Sequence, residues 1–241
     1  MSTDLESRSL MAIRQLIDAG RPLIYIQSPE EERILLLLTA LARHPGGDKP
    51  GLFTWSITEG LWKDGKACRN QPEGARGILD FVIGHEDAAF FLLKDFHEFI
   101  RDSAEIRRRL RDVYHSCLHS AKHIVICSPV KTIPSEIERE VAFLKMPMPD
   151  ITEMQELVRE EVRALEAAIR HSGGTPPPPI TEDAVYILAR SLQGLTFDEA
   201  RHAIRFATAR HGGLDASVMP LLQEEKRLLV RKTGLMEYLP D

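Results

Sequence analysis

The chain predicts an α/β fold of three layers, a parallel sheet covered by helices on both faces, followed by an all-helical region. Three observations predict it. Short apolar runs rich in β-formers alternate with helix-periodic segments through the first 150 residues, the pattern of a wound parallel sheet. The run from Ala88 to Leu93 is apolar at every position, as a strand buried on both faces must be. After Pro149 the strand-like runs stop and capped helical segments take over.

In order, Thr3 to Ala19 carries Leu10, Ile13, Leu16 and Ile17 at helical spacing and ends at Gly20. Pro22 to Ile26 reads as a buried first strand. Glu30 to Ala42 reads as a helix whose acidic first turn suits the macrodipole. A Gly46-Gly47 loop leads to a second strand, Leu52 to Thr58, then a polar loop and a helix from Glu73 to Ile83. The third strand, Ala88 to Leu93, precedes a long charged helix from Ser103 to Ser120. The fourth strand is Ile124 to Cys127, and a short fifth lies around Val141 to Leu144. Beyond the boundary at 149/150, Asp150 or Thr152 caps a helix to Ile169, and Gly173-Gly174 with Pro176 to Pro179 forms a stiffened loop. Thr181 caps a helix through Leu192, and Thr196 with Glu199 makes a capping box for another that stops at Gly212-Gly213. Asp215 is placed to cap a last helix from Ser217 to Lys232. The reading is thus a core over residues 1–149 and a helical region over 150–241.

Composition excludes several classes. The 241 residues are 43% hydrophobic and 28% charged, with net charge −5, which suits a globular chain and excludes a disordered or fibrous one. The longest strongly apolar run, Ile34 to Ala42, is far short of the ~20 residues of a membrane span. Asp4 and Glu6 stand where a secretory signal needs positive charge. Residues 1–150 carry 20 basic and 22 acidic side chains, and neither half shows the basic block of a nucleic-acid or membrane binder. Three cysteines, Cys68, Cys117 and Cys127, make no disulfide framework and point to a reducing compartment. A cytoplasmic location is expected, bacterial rather than plastid.

The plan of core plus helical lid is that of the AAA+ module of the P-loop NTPases, and the residues resemble one branch of it. The strings PLIYIQSPEEERIL, LFTWSITEGL, FFLLKDFHEFI, IRRRLRD, IVICSPVKTIPSEIERE and GLTFDEARHAI resemble the N-terminal half of the AAA+ family first described as a hypothetical chloroplast reading frame, found in plastids, cyanobacteria and other bacteria. The resemblance covers nearly the whole chain. It implies a degenerate AAA-like domain preceding a second domain with the intact nucleotide site, which would begin near Gly234 to Tyr238. ATP and magnesium enter as cofactors by this resemblance alone, and none is expected to be held by this chain.

A phosphate loop needs glycines that free backbone N–H groups for phosphate, a lysine, and a hydroxyl for magnesium. After the first strand this chain has Ser28-Pro29-Glu30-Glu31-Glu32-Arg33, with no glycine and three carboxylates. A capped helix start is the better reading. Gly60 to Ala67, GLWKDGKA, matches the spacing of Gly60, Gly65 and Lys66 in a phosphate loop, but Ala67 replaces the hydroxyl and Pro72 closes the segment before a helix can start. It reads as a glycine-punctuated surface loop. At the end of the third strand an aspartate–glutamate pair would hold magnesium and activate water; here either Lys94 replaces the aspartate and Asp95 the glutamate, or Asp95 keeps its role and Phe96 replaces the glutamate, and one carboxylate does not make the pair. Asp95 is a vestigial member of that pair, Ser128 is the vestigial polar sensor after the fourth strand, and Lys94 is expected to fill the cation position and pair with Asp95.

His115, Cys117, His119, His123 and Cys127 form the one metal-like cluster, with His115 and His119 at i, i+4. Solvated histidines and buried thiols are the preferred reading, and no metal and no catalytic residue are assigned. Arg107, Arg108, Arg109 and Arg111, backed by Lys226, Arg227, Arg231 and Lys232, form the densest basic patch; Asp102, Glu105 and Asp112 offset the first group, so an exposed salt-bridged helix is expected. In AAA+ rings an arginine after the fourth strand reaches the neighbour's ATP, and Arg139 lies in that stretch. The function expected is a non-catalytic AAA+-like module for assembly with other AAA+ subunits or with itself, beside an active ATPase. The alternatives are the front part of a longer ATPase, which alone would make the protein an enzyme, or a nucleic-acid or clamp-loader-like accessory subunit.

Overall fold

The structure, a computed structural model, describes residues 7–43, 49–174 and 179–237. The Gly46-Gly47 loop, Pro176 to Pro178 and the first residues of the predicted N-terminal helix lie outside the described residues. The chain forms two compact units, one of Ser9–Met146 and one built from Pro147 onward with Arg8.

The first unit runs α1 (Arg8–Asp18), β1 (Leu23–Gln27), α2 (Glu31–Ala42), β2 (Gly51–Ser56), β3 (Gly60–Lys63), β4 (Lys66–Ala67), α3 (Gly74–Gly84), β5 (Ala89–Lys94), α4 (His97–Asp102), α5 (Ala104–Cys117), β6 (Lys122–Ser128) and β7 (Ala142–Lys145). The sheet order is β4-β3-β2-β5-β6-β1-β7. The five strands from β2 to β7 in that order pair in parallel, and β3 and β4 add an antiparallel edge. The α/β class and its parallel core are as predicted. The edge corrects the polar loop expected after the second strand.

Alternation along each strand divides the core in two, because successive side chains leave opposite faces of the pleat. Leu23, Tyr25, Phe91, Leu93, Ile124 and Ile126 face the layer of α3, α4 and α5, packing with Ile78, Ile100 and Leu110. Ile24, Ile26, Phe90, Leu92, Val125 and Cys127 face α1 and α2, packing with Ile13, Ile34 and Leu38. Helix α4 is an element the sequence pattern did not reveal: six residues in which only His97 and Ile100 are buried carry too little periodicity. Ser103 separates it from α5 by accepting a hydrogen bond from the Ile106 N–H at 3.2 Å, and α5 ends at Cys117, three residues before its predicted end. One buried cation fastens the layers. Lys122 donates to the carbonyl oxygens of Val82 (3.0 Å), Ile83 (3.4 Å) and His85 (2.8 Å), capping the C-terminus of α3 where carbonyls lack intrahelical partners.

The second unit is helical: α6 (Ile151–His171), α7 (Glu182–Leu192), α8 (Phe197–His211), a 3-10 turn (Ala216–Val218) and α9 (Met219–Glu237). Asp150, rather than Thr152, caps α6, in a capping box with Glu153. Thr196 and Glu199 form the predicted box on α8, which closes on Gly212 in the left-handed conformation. Asp215 supports the 3-10 turn by accepting from the Ser217 N–H at 2.7 Å, so the last helix starts two residues later than expected. Met154, Leu157, Leu188, Leu192, Ala203 and Ile204 make this unit's own core. Among the described residues, no helix is long and apolar enough to cross a membrane.

Candidate functional site

Open parallel sheets bind ligands at the carboxyl ends of their strands, and here those ends are Gln27, Ser56, Lys94, Ser128 and Lys145. The turn after β1 leads into α2 through Ser28, Pro29 and Glu30. Its backbone donors are turned inward. The Ser28 N–H donates to the Ser128 carbonyl (2.8 Å), the Glu30 N–H to Ser28 Oγ (3.1 Å) and the Glu31 N–H to the Pro29 carbonyl (3.1 Å), while Pro29 has no N–H. Glu30 is buried, and its carboxylate takes a 2.7 Å bond from Arg33 one helical turn on. Arg33 is itself buried and donates to Ser9 Oγ of α1 at 2.6 Å. A buried carboxylate and a buried guanidinium are tolerable only as such a pair.

Lys94, at the end of β5, reaches Glu31 and Glu59, each at 3.3 Å. Burial works against its charge, but bonds to the two carboxylates outweigh that, so its pKa stands above the ordinary lysine value. This corrects the expected Lys94–Asp95 pair. Asp95 follows in the left-handed region at φ 50°, and its side chain turns to His97, with 3.8 Å between Oδ1 and Nδ1. Ser128 is buried, donates to the Val130 carbonyl at 3.0 Å and accepts the Val130 N–H at 3.3 Å. The sheet thus brings Lys94, Asp95 and the Ser28–Glu31 turn to one rim, and holds Ser128 in a turn of its own.

The Gly60, Gly65 and Lys66 segment is a β-hairpin. Asp64 (φ 48°) and Gly65 (φ 78°) form its two-residue turn, both left-handed, the conformation that fits the twist of paired strands and that Asp-Gly prefers. Gly60 (φ 72°) lies against the Gln71 side chain, which accepts from the Leu61 N–H (2.6 Å) and donates to the Leu61 (3.0 Å) and Cys68 (2.8 Å) carbonyls. Lys66 is exposed on β4 opposite Lys63. The hairpin delivers Glu59 to Lys94, 35 residues away in sequence.

The other clusters resolve into local bonds. Arg107 donates to the carbonyls of Ile100 and Arg101, Arg108 pairs with Asp112, Arg109 with Asp80, and Arg111 with Glu140. Lys226 donates to the carbonyls of Ser191 and Gln193, while Arg139 and Arg227 are exposed. The side chains of Arg231 and Lys232 lie outside the described residues. His119 follows the end of α5 and shares no helix face with His115, correcting that expectation. Burial holds His123 below the ordinary histidine range and pushes the Cys127 thiol up to about 12. Among the described residues no three His, Cys, Asp or Glu side chains are grouped to hold a metal ion.

Comparison with known proteins gives this arrangement a context. The AAA domain-containing protein ycf46 of Pyropia yezoensis is 26% identical over 230 residues, covering 95% of this chain and 44% of that protein. Its counterpart in Trieres chinensis is 27% identical over 228 residues, 92% of this chain and 42% of that protein. The chain therefore spans less than half the length of these relatives. Among solved structures, that of C. elegans PCH-2 shares the fold at a TM-score of 0.53 and 12% identity, over 92% of this chain and 68% of that one. Two family models match in succession: the N-terminal domain of the SpoVK-like AAA ATPases over residues 9–146 and the second domain over 152–233. On that coverage the chain belongs to the SpoVK-like AAA ATPase family.

Proposed function

We propose that this chain is a non-catalytic AAA+-like module that serves assembly or partner binding next to an active ATPase, with residues 1–149 as its degenerate core and 150–241 as its helical lid. The observation that carries the reading is the turn after β1. Its N–H groups at Ser28, Glu30 and Glu31 bond inward, Pro29 has no N–H to offer, and Glu30 to Glu32 put carboxylates where a triphosphate would need donors. Lys94, at the strand end where a magnesium-holding carboxylate is sought, is held by Glu31 and Glu59. On this reading Asp95 and Ser128 are remnants, and the Gly60–Lys66 hairpin is structural, since a phosphate loop runs from strand to helix rather than from strand to strand. The partners proposed are other AAA+ subunits or further copies of this chain, in a cytoplasm that suits three free cysteines.

The test is a titration of the purified chain with magnesium and a fluorescent ATP analogue. No saturable binding is expected below the millimolar range; micromolar binding that Lys66→Ala abolishes would overturn the proposal.

A second reading is favoured by the length comparison. Because the chain matches about 44% of the Pyropia protein, we propose that in such longer relatives hydrolysis belongs to the remaining length, and that this module works beside it.

A further inference from the structure

On the face of the sheet that carries α1 and α2, helical cover ends over β2. Leu52 is buried in that layer's core. Thr54, two residues on, is only half-buried, and Trp62, its cross-strand partner on β3, is 36% exposed. The opposite face of the same strands is closed, since Phe53, Trp55 and Leu61 are buried in the core with α3. Between α2 and the hairpin this leaves a groove of about 570 Å³, a volume within the range of small-molecule sites. Leu35, Thr39 and Ala42 of α2 line one side, Trp62 the other, and Leu52 and Thr54 lie between them on the sheet.

The aromatic side of this groove is fixed, and its charges are unevenly committed. Trp62 Nε1–H donates to the Glu59 carbonyl at 3.1 Å, which holds the exposed ring in place. Both carboxylates of the lining are engaged, Glu59 with Lys94 at 3.3 Å and Asp64 Oδ1 with the Leu52 N–H at 3.3 Å. The Thr39 hydroxyl gives its proton to the Leu35 carbonyl at 2.7 Å. The two cations of the lining, Arg43 and Lys49, are exposed, and neither side chain makes a hydrogen bond or ion pair among the described residues. The groove therefore combines a flat aromatic wall, an aliphatic bed and two uncommitted positive charges.

We propose that this groove binds a small aromatic carboxylate, with its ring laid against Trp62 and its carboxylate taken by Arg43 and Lys49. A flat ring stacks on the indole and buries its edges on Leu35 and Leu52. A guanidinium offers a carboxylate two parallel N–H groups, and the lysine adds a point charge. A single negative charge suits two cations that share the lining with Asp64, whose carboxylate repels a multiply charged phosphate. The Ser28–Glu31 turn takes no part in the lining, so the site stands whether or not nucleotide binds at the strand ends.

The experiment is an NMR titration of the ¹⁵N-labelled full chain at constant ionic strength, with naphthoate, the uncharged naphthalenemethanol, cyclohexanecarboxylate and magnesium ATP as separate probes. Naphthoate is expected to give saturable shifts at the Trp62 indole N–H and the amides of Thr54 and Lys49, half-saturating below about a millimolar. The alcohol should bind about tenfold more weakly, for want of a charge-assisted bond, and the cyclohexane acid several-fold more weakly, for want of a stacking ring. The double variant Arg43→Gln/Lys49→Gln should weaken naphthoate about tenfold, whereas Lys66→Ala, on β4 outside the lining, should leave it unchanged. Unchanged amides of β5 and β6 report that the variants are folded. Absence of saturation, equal binding of the alcohol or of the cyclohexane acid, or unaltered binding by the double variant would each overturn the proposal. Tighter saturation of the Trp62 signal by magnesium ATP would also overturn it, in favour of a phosphate ligand. ATP binding that leaves Trp62 untouched and is lost in Lys66→Ala would instead overturn the proposed loss of the nucleotide site, so the two failures are told apart.

Discussion

At the scale of residues, the Glu30–Arg33 pair is the feature whose removal should be felt most. Both groups are buried, and Arg33 also ties α2 to Ser9 of α1. Truncating one partner of a buried pair costs about 3–5 kcal/mol, whereas replacing both by apolar groups of similar volume costs far less. Arg33→Met alone should therefore lower the urea midpoint strongly, and Glu30→Met with Arg33→Met should recover much of the loss. A double variant no more stable than Arg33→Met would show that the charge of Glu30 is not what destabilises the single variant. This pair was half legible in the sequence. The i, i+3 spacing was visible, but burial depends on α1 packing over it, which no local pattern reports. Lys94 illustrates the same limit. Its neighbour Asp95 looked like its partner, yet the left-handed backbone at Asp95 turns that side chain towards His97, and the sheet brings Glu31 and Glu59 to Lys94 instead.

At the scale of elements, capping signals were the most legible. Thr196 and Glu199 satisfy two end N–H groups of α8 with bonds of 3.3 and 2.9 Å, and the spacing of serine or threonine three residues before glutamate announces that in advance. Thr196→Ala should cost about 1 kcal/mol, read as a lowered midpoint in chemical denaturation, and Thr196→Ser should keep most of the stability. The β3–β4 hairpin was equally announced, by Asp64-Gly65 between Lys63 and Lys66. The phosphate-loop-like spacing of Gly60, Gly65 and Lys66 overlaps that signal, and the short strands offer little apolar alternation. Helix α4 and the end of α5 fall among those boundaries that depend on tertiary packing rather than on local signals.

At the scale of the whole molecule, the α/β layering could be read because buried strands and amphipathic helices differ in period, and the sheet order could not, because register and neighbour choice lie in long-range contacts. The two units keep separate cores. Both tryptophans, Trp55 and Trp62, lie in the first, so their fluorescence reports that unit, while helical circular dichroism reports both. Leu188→Ala, a deletion at a fully buried position of the helical core, should destabilise that unit by about 2–5 kcal/mol. The circular dichroism transition should acquire an early phase while the tryptophan transition stays in place. Movement of both together would show that the units unfold as one.

The shape of the sheet's ends has a consequence for how the protein can associate. One terminal strand, β4, is two residues long and exposes Lys66; the other, β7, is four residues long and is followed two residues on by Pro147. Short, lysine-bearing and proline-bounded rims are poor templates for backbone ladder growth. Self-association through continuous sheets, and the fibres that follow from it, is therefore disfavoured by construction, and stable complexes of this chain are expected to form through side chains on its helices and strand-end loops.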